Sequence, residues 1–322
     1  ELELWQQGKR ISLELLKNAL TTQENNSSFI SFFRQEVMNS SLKDSTKRNH
    51  LSTLILLQEF KKDIVFSDLT FEFISSFEYF LQLKGYHINT IAKHMKHLKR
   101  HVNIAINKEY IEIQKYAFRK YKIKTIENKH THLVPEELER LENLILSDRY
   151  VKLQKSLDAF LFCCYAGMRY SDFINLSSEN IVDINQETWL IYKSVKTGTE
   201  VRLPLYLLFS GKGITILNKY KDNLEDFFHL RDNSNINKDL IIITRLAGLS
   251  KRISFHTARH TNATLLIYNG INITTVQKLL GHKSVKTTQI YTNVMDMTII
   301  HDLEKMKQAI PIAGKKVDNS FK

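Results

Sequence analysis

Side chains suited to binding and activating a phosphate group are concentrated in the region 256–291. They are His256, Arg259, His260, His282 and Tyr291. A three-residue step places His256 and Arg259 on one face of a helix. The glycine before His282 suits a helix C-terminus, where positive φ favours a residue without a Cβ. Basic and hydrogen-bonding side chains could thus surround one anionic group together with a tyrosine, and we predict that this group is a DNA phosphodiester.

A second set of polar residues precedes this region. Arg169 follows the apolar helical pattern 151–165 and a glycine, so its charge should lie just beyond a buried helix end. Asp172 can hold Arg169 in place through a charge-assisted hydrogen bond. Lys196 lies in a glycine-containing turn of the predicted β-hairpin 188–203. The tip of such a hairpin could reach into a groove of DNA.

The composition favours a helical protein with an anionic partner. The chain has 322 residues and a net charge of +12, and this imbalance costs self-repulsion unless a partner such as nucleic acid relieves it. Only 3 prolines and 10 glycines favour long helices over tight turns. No apolar run approaches the roughly 20 residues of a membrane span, and the first residues lack a secretory signal pattern. The adjacent Cys163 and Cys164 are expected to be small core residues in a reducing compartment.

The first half of the chain shows helical periodicity and no strand signal. Four helical patterns are predicted in residues 28–127, and the last of them carries lysines, an arginine and three histidines opposite an apolar face. Because these cations lack acidic partners at i±4, their repulsion is not offset. This favours contact with phosphates, with an ordinary solvated face as the alternative. A basic stretch at 115–129 is predicted to be an extended linker. The predicted DNA contacts are Lys93, Lys96, Lys99, Arg100, Arg119, Lys120 and Lys122.

Taken in order, these motifs resemble the tyrosine recombinase, or phage integrase, family. The family often has leucine where Ala258 stands, a position expected to face the core. The resemblance covers about residues 28–305 and is specific in the second half, whereas the first half resembles the family's core-binding domain in character and position. The blocks that carry it are Ala166-Gly-Met-Arg169 with Asp172, the hairpin Lys196, His256-x-x-Arg259-His260, Leu279-Leu-Gly-His282 and Tyr291.

The resemblance implies a mainly α fold. A helical core-binding domain would be followed by a mixed α+β catalytic domain with a small antiparallel sheet, and the two would form a C-shaped DNA clamp. We place the boundary near Asn128, so that residues 28–127 form the DNA-binding domain and residues 128–322 the catalytic domain. Residues 1–27, with a predicted helix over 2–20, would be a connector or the end of a domain that binds accessory arm sites.

The resemblance also implies a role for each site residue. Tyr291 would be the nucleophile that leaves a 3′-phosphotyrosyl bond and frees a 5′-hydroxyl. Arg169, Arg259 and His282 would stabilise the charge that builds on the nonbridging oxygens during phosphoryl transfer. His256 would act as the base, Lys196 would protonate the leaving 5′-oxygen, and Asp172 and His260 would support them. No metal and no other cofactor is expected.

The expected partner is double-stranded DNA. The resemblance implies a homotetramer on two duplexes, with the segment 298–310 docking on a neighbouring protomer, and an accessory DNA-bending protein could assist. The expected setting is the bacterial cytoplasm, in association with the nucleoid. The favoured activity is site-specific recombination that integrates or excises a mobile element.

Four other activities stay open at this point. A recombinase that resolves replicated chromosomes would use the same residues, and a type IB topoisomerase would share the chemistry without needing paired sites. A DNA-binding regulator could keep the fold without catalysis, although binding alone needs no tyrosine at the phosphate. Finally, His256 and His260 at i, i+4 could ligate zinc in a hydrolase, although no glutamate lies between them.

Overall fold

The computed structural model describes residues 28–127 and 130–291. The chain divides into two compact units, with the division between Asn128 and Lys129. The predicted helix over 2–20, the connector 1–27 and the docking segment 298–310 lie outside the described residues. Each unit has its own hydrophobic core.

The first unit consists of four α-helices and two short 3-10 turns in its described residues. Aromatic residues of the first helix dominate its core, where Phe29 and Phe33 are fully buried and Phe66 packs edge-on against Phe29. The helices are α1 (Phe29–Met38), α2 (Asp44–Phe60), α3 (Phe71–Leu83) and α4 (Ile88–Asn107), and the 3-10 turns are Phe66–Asp68 and Ile113–Lys115.

The ends of these helices follow the capping rules in part. Thr70 caps α3 by accepting a hydrogen bond from Phe73 N, as an N-cap threonine should. Ser45 and Thr46 are typical N-cap residues, but neither caps α2, because the helix already begins at Asp44. An acid in the first turn is itself favourable at the positive end of the helix dipole.

The histidines of α4 do not lie on the basic face predicted for this helix. His94 and His101 are only 3% and 2% exposed. The ring of His101 stacks on Phe33 with 3.6 Å between the centroids, and His97 stacks on His50 of α2 at 4.0 Å. The helical periodicity of α4 places Lys93 and Lys96 on the solvent face, and it places the histidines on the face that packs against the aromatic rings of the core.

The stretch 115–127 is also more than a basic linker. It contains no strand and only the end of one 3-10 turn, as its extended character predicted. Phe118 and Tyr121, however, are buried in the core of the first unit, and Asn89 exchanges two hydrogen bonds with the backbone of Ile126. The apolar residues anchor this segment to its own unit, while the basic residues between them stay exposed.

The second unit surrounds one long apolar helix. This helix, α6 (Gln154–Ala166), buries every residue from Ser156 to its end, including Cys163 and Cys164. The other helices and strands of the unit are, in sequence order, α5 (Pro135–Glu142), α7 (Tyr170–Phe173), β1 (Ile181–Ile184), β2 (Glu187–Lys193), β3 (Glu200–Pro204), α8 (Lys212–Lys219), α9 (Leu224–Phe228), α10 (Asn233–Leu246), α11 (Phe255–Tyr268), α12 (Ile273–Leu280) and α13 (Lys286–Gln289), with 3-10 turns at Asp148–Leu153, Ser178–Asn180 and Leu208–Gly211.

The three strands form one antiparallel sheet in the order β1-β2-β3. The predicted hairpin is present, with Trp189 opposite Pro204 and Lys193 opposite Glu200. The first strand was not predicted, because only four residues pair there and its alternation is too short to stand out. The fold class predicted from the sequence, mainly helical with a small antiparallel sheet, is confirmed.

Helix α10 begins earlier than its apolar pattern indicated. The asparagine and serine residues from Asn233 onward are typical of a loop. Instead, Asp232 accepts hydrogen bonds from the backbone N–H groups of Ser234 and Asn235, so the polar residues form the first turn of the helix. Within the described residues, no helix is long and apolar enough to cross a membrane.

Candidate active site

Arg259 is the centre of the polar cluster and is only 1% exposed. It belongs to α11, and its guanidinium donates to the carbonyl oxygens of Gly167 at 2.7 Å and Leu280 at 2.6 Å. These carbonyls lie at the C-terminal ends of α6 and α12, where the helix dipole is negative. One buried cation therefore holds together the two helix ends that precede Arg169 and His282.

The two helix ends approach Arg259 closely because each ends in a glycine. Gly167 has a φ of +66°, and a Cβ on it would lie 2.6 Å from the side-chain oxygen of Asn262. Gly281 has a φ of +61°, and a Cβ on it would lie 2.6 Å from Val201 Cγ2. The left-handed conformation predicted for Gly281 is confirmed.

Arg169 and Asp172 interact as their spacing predicted. Arg169 Nη1 lies 3.5 Å from Asp172 Oδ2 and 3.2 Å from Ser194 Oγ. Asp172 is 2% exposed and also accepts the backbone N–H of Val195 at 2.9 Å. The carboxylate thus connects the arginine to the β2–β3 turn. Asp172 does not cap α7, whose N-cap position is taken by Arg169.

Lys196 lies at the exposed tip of the β2–β3 turn. The turn closes through Ser194 N to Thr199 O at 2.9 Å, and Thr197 Oγ1 donates to Gly281 O at 3.3 Å. The turn is therefore attached at one side to Asp172 and at the other to the residue before His282. This places the lysine backbone at the edge of the arginine cluster.

His282 is 8% exposed and its Nδ1 lies 2.9 Å from Thr288 Oγ1. Burial, followed by the charges of Arg259 and Arg169, lowers the pKa of His282 to about 3, so the ring is neutral at neutral pH. When Thr288 donates to Nδ1, the ring carries its hydrogen on Nε2 and can donate it to an anion.

Tyr291 is 4% exposed, and its backbone N–H donates to Thr288 O. Its hydroxyl lies 3.0 Å from His260 Nδ1. Burial raises the pKa of Tyr291, while Arg259 and Arg169 act in the opposite direction. Both arginines are therefore close enough to favour the phenolate, but desolvation outweighs them before any substrate is present.

His256 occupies the solvent-exposed first turn of α11, one turn before His260. Its ring meets that of His260 edge to face, with 4.6 Å between the centroids. Desolvation of its packed side, followed by Arg259, Arg169 and Lys196, lowers the pKa of His256. His260, which was expected only to support the site, contacts the hydroxyl of Tyr291 directly. No contact between His256 and that hydroxyl is present among the described residues.

The electrostatics of this cluster suit a bound anion. Burial and the neighbouring Arg169 lower the pKa of Arg259 to about 10, which still leaves the guanidinium charged at neutral pH. The positive groups therefore repel one another in the free protein, and a phosphate between them would relieve that repulsion. No three His, Cys, Asp or Glu side chains in the described ranges are placed to hold a metal ion.

The seven basic residues predicted to contact DNA lie in the first unit. All are exposed except Lys99, whose ammonium group lies 5.9 Å from the centre of the Phe118 ring. Arg119 donates to Ile113 O at 3.0 Å and is partly held by this bond. Lys96, Lys99 and Arg100 line one shallow groove on α4.

The sequence matches two family models along the chain. Residues 28–123 match the phage integrase SAM-like domain, and residues 131–297, more than half of the chain, match the phage integrase family. The chain belongs to the phage integrase family. Several curated relatives of the chain carry the name tyrosine recombinase.

A tyrosine recombinase of Pseudothermotoga lettingae is 29% identical over 181 residues, which are 55% of this chain and 60% of the relative. Another, from Thermosipho africanus, is 32% identical over 48% of this chain and 54% of the relative. The chain thus matches less than two thirds of these two relatives. Tyrosine recombinase XerD of Oceanobacillus iheyensis is 26% identical over 78% of this chain and 86% of the relative.

Two solved integrase structures share the fold. A lambda integrase dimer bound to a core site has a TM-score of 0.70 at 18% identity, covering 90% of this chain and 83% of that one. The Tn1549 transposon integrase in complex with circular intermediate DNA has a TM-score of 0.67 at 16% identity, covering 86% and 99%.

Three polar residues of the site were not predicted from the sequence. Ser194 bridges Arg169 and Asp172, and Thr288 orients His282. Asn262, three residues after Arg259, donates to Cys164 O at 3.0 Å and to Tyr165 O at 2.9 Å, near the end of α6. The step of three from Arg259 was a usable signal for Asn262, because it places both on one helix face. Ser194 lies 25 positions from Arg169, and Thr288 belongs to α13, six positions after His282 and beyond the end of α12, so helical spacing gave no signal for either residue.

Proposed function

We propose that this protein is a site-specific DNA recombinase that cuts and rejoins strands through a 3′-phosphotyrosyl intermediate. The observation that supports this best is the buried guanidinium of Arg259 between Gly167 O and Leu280 O. This arrangement brings Arg169 and His282 close to Arg259. Tyr291 is near enough for the charges of Arg259 and Arg169 to lower its pKa, against the effect of burial. Membership of the phage integrase family supports the same activity.

In the proposed reaction, the arginines and His282 Nε2–H bind the nonbridging oxygens of one phosphodiester. Guanidinium suits this role because it offers parallel donors and keeps its proton. Tyr291 Oη attacks phosphorus while a histidine of the 256 and 260 pair takes the phenol proton. Lys196 donates a proton to the departing 5′-oxygen. Preorganised donors of this kind contribute on the order of several kcal/mol to phosphoryl transfer.

Rejoining follows from the same arrangement in reverse. The phosphotyrosyl bond keeps the phosphodiester as an activated ester, so a 5′-hydroxyl from a second strand can attack phosphorus and release the phenol. Asp172 supports both steps by holding Arg169 and the Lys196 turn. The reaction as proposed needs no nucleotide hydrolysis.

The substrate is proposed to be duplex DNA held by both units as a clamp. The first unit, with a boundary near residue 127, would serve as the core-binding domain and the second as the catalytic domain. Lys93, Lys96 and Arg100 are exposed and form no salt bridge within residues 28–127 and 130–291. Cations without acidic partners are available to phosphates.

Single alanine substitutions at Lys96 and Arg100 test the proposed backbone contact. Each should lower the slope of log affinity against log salt by roughly 0.9, the value for one released counterion. Lys84 is the matched control, because it is exposed but paired with Glu59. Slopes that stay equal in all three variants would exclude these two contacts.

The assembly is proposed to be a homotetramer on two duplexes, and a tetramer of lambda integrase has been solved on a Holliday junction. Segment 298–310 is our candidate for the contact between protomers, and an accessory DNA-bending protein is a further proposed partner. The protein would act inside the bacterial cell, at the nucleoid. Deleting residues 298–322 should reduce pairing of two sites more than binding to one site. Equal losses would contradict this role.

The two related activities differ in the DNA that they join. Integration joins two separate molecules, whereas resolution acts on repeated sites in one molecule, and the match to a XerD protein over 78% of this chain is compatible with the latter. We favour the mobile-element role and expect recombination between sites on separate circles. Efficient reaction confined to repeated sites on one circle would favour resolution.

The decisive experiment uses a nicked half-site DNA substrate in EDTA. The DNA flanking the gene supplies the first candidate sites. The wild type should form a covalent protein–DNA adduct, and Tyr291→Phe should bind the same DNA without forming one. Tight binding by both proteins without any adduct on a confirmed site would favour a DNA-binding regulator. Relaxation of plasmids that lack paired sites would favour a topoisomerase.

A further inference from the structure

The hydroxyl of Tyr291 has a specific partner in the free protein. It lies 3.0 Å from His260 Nδ1, and the side chains are both largely excluded from solvent, with 4% of Tyr291 and 8% of His260 exposed. A hydrogen bond at this distance between buried groups is well formed. Any histidine that takes the phenol proton must reach this oxygen.

The surroundings of Tyr291 and His260 determine which of the two groups carries the proton in their hydrogen bond. Burial, followed by His256 and His130, lowers the pKa of His260 to about 3, so the imidazole is neutral. Burial raises the pKa of Tyr291, so the phenol keeps its proton. The phenol therefore donates, His260 Nδ1 accepts, and the ring hydrogen of His260 is on Nε2.

A third histidine determines how the His260 ring is packed. The ring of His130 stacks on that of His260, with 4.5 Å between centroids and 28° between planes. The ring of His256 also meets that of His260, edge to face, with 4.6 Å between the centroids. His130 follows directly after positions 128 and 129, where the chain passes from the first unit to the second.

We propose that His260 is the catalytic residue that accepts the phenol proton of Tyr291, and that His130 is a positioning residue that holds the His260 ring by stacking. This inference rests on the proposed recombinase function. The O–H bond of Tyr291 breaks and its proton moves to His260 Nδ1, while the bond from Tyr291 Oη to phosphorus forms. The bond from phosphorus to the 5′-oxygen breaks, and that oxygen takes a proton from Lys196.

Bound DNA should raise the pKa of His260, which is too low for a base in the free protein. A base works best when its pKa is near the working pH. A negative phosphodiester placed among Arg169, Arg259 and His282 favours the imidazolium form of His260 and so opposes the burial and the neighbouring groups that lower the pKa of His260 in the free protein. His256, at the exposed edge of the cluster, is then left to donate to the phosphate. Proton transfer from the tyrosine is thereby coupled to occupancy of the site.

The test measures the rate of adduct formation on the half-site substrate between pH 5 and pH 9. His260→Asn keeps an acceptor near the Nδ1 position but is not a base, so its rate should fall roughly 100-fold or more. The decline in rate on the acid side of the wild-type profile should also disappear. His256→Asn should lose rate but keep that decline. If His260→Asn keeps it and His256→Asn loses it, His256 is the base and the proposal is wrong.

The His130 variants test positioning separately. His130→Ala should slow adduct formation roughly tenfold, because a small displacement of a catalytic group has a large cost. His130→Phe should restore the rate, since phenylalanine can stack but cannot titrate. His229→Ala is the matched control, because His229 is exposed in the same unit and contacts no site residue among the described contacts. Equal rates for His130→Ala and His229→Ala would exclude a role for His130.

A second readout needs no DNA. Nitrogen-15 NMR of the histidine rings should show one Nε2–H tautomer whose Nδ1 shift changes in Tyr291→Phe, because the donor is removed. His260→Asn should remove that signal, and its Tm serves as the folding check. If no wild-type adduct forms, the recombinase function fails, while the NMR result still decides whether His260 holds the tyrosine. An unchanged spectrum in Tyr291→Phe would overturn the proposal.

Discussion

The carboxylate of Asp172 accepts the backbone N–H of Val195 at 2.9 Å, one residue before Lys196. The same carboxylate accepts from Ser194 Oγ and lies 3.5 Å from Arg169. One buried acid thus determines the relative positions of the arginine and the lysine. For this reason we expect the effect of its replacement to appear in catalysis at least as strongly as in stability.

Asp172→Asn should slow adduct formation by about 100-fold while DNA binding changes little. The amide cannot form the charged interaction with Arg169, and its NH2 group competes with the donors that the carboxylate accepts. Adduct formation under single-turnover conditions measures the effect. Asp183→Asn, at an exposed position of β1 in the same unit, is the control. Equal rates for the two variants would show that Asp172 does not position the turn.

The two arginines should differ in their effects on stability. Arg259→Ala leaves Gly167 O and Leu280 O without their donor in a buried site, and the expected cost is about 2–4 kcal/mol. Arg169 keeps 13% of its side chain exposed and contacts only side-chain oxygens among its described hydrogen bonds. Arg169→Ala should therefore cost about 1 kcal/mol. Urea unfolding measures both, and an equal loss would contradict the structural role assigned to Arg259. Both variants should fail to form the adduct.

The sequence was sufficient to predict the helical class and the hairpin, because these depend on periodicity and turn residues. The roles predicted for the site residues stay predictions. The first of the four predicted helical patterns runs from Phe29 to Met38, and the helix has the same ends. The pairing of His260 with Tyr291 was not predictable, since it joins residues 31 positions apart. For the α4 histidines, the residue type suggested a polar face, whereas aromatic partners from α1 and α2 bury them.

Gly281→Ala tests whether close packing at the end of α12 is required. Gly281 and Gly248 have φ values of +61° and +66°, but only a Cβ on Gly281 would meet a neighbour, Val201 Cγ2 at 2.6 Å. Gly248→Ala should cost about 1 kcal/mol from backbone strain alone. Gly281→Ala should cost about 2–3 kcal/mol more because Val201 must move. Urea unfolding provides the comparison.

A double mutant separates the contact from the strain. When Val201→Ala is combined with Gly281→Ala, part of the additional cost should disappear, since the clashing methyl group is gone. Additive costs in the double mutant would show that the two positions do not interact. Because His282 follows Gly281 directly, Gly281→Ala should displace it and slow adduct formation. The double mutant should recover part of that rate.

The buried histidines of the first unit predict acid lability. Burial, with Lys93 contributing, lowers the pKa of His94 to about 4. Burial, followed by His50, lowers that of His97 to about 3. For His101, burial lowers the pKa to about 4, with Arg100 adding to the effect and Glu36 of α1 opposing it. Each ring is therefore neutral in the folded unit at a pH where it is charged in the unfolded chain.

The sign follows from proton binding in the two states. Between an unfolded pKa of about 6.5 and the folded values, the unfolded chain binds more protons, so stability decreases as the pH falls. Full stability is present above that range. The expected loss is about 1.4 kcal/mol per pH unit for each histidine that is charged only in the unfolded chain. Hydrogen exchange of α4 peptides between pH 7 and pH 5, corrected for intrinsic rates, measures this loss of stability. Because the peptides belong to the first unit, the measurement does not include the effect of histidines in the second unit.

His50→Phe provides the sharpest variant for this prediction. His50 is 4% exposed, its Nδ1 has no partner, and its ring stacks on His97. Phenylalanine keeps the stacking, loses no Nδ1 hydrogen bond and removes one titrating group whose pKa burial and Arg100 lower. The slope of stability against pH should therefore become smaller, and the unit should be more stable than the wild type at pH 5. Tyr79→Phe, at an exposed position of α3, should leave the slope unchanged. An unaltered slope in His50→Phe would show that this histidine cluster does not cause the acid lability.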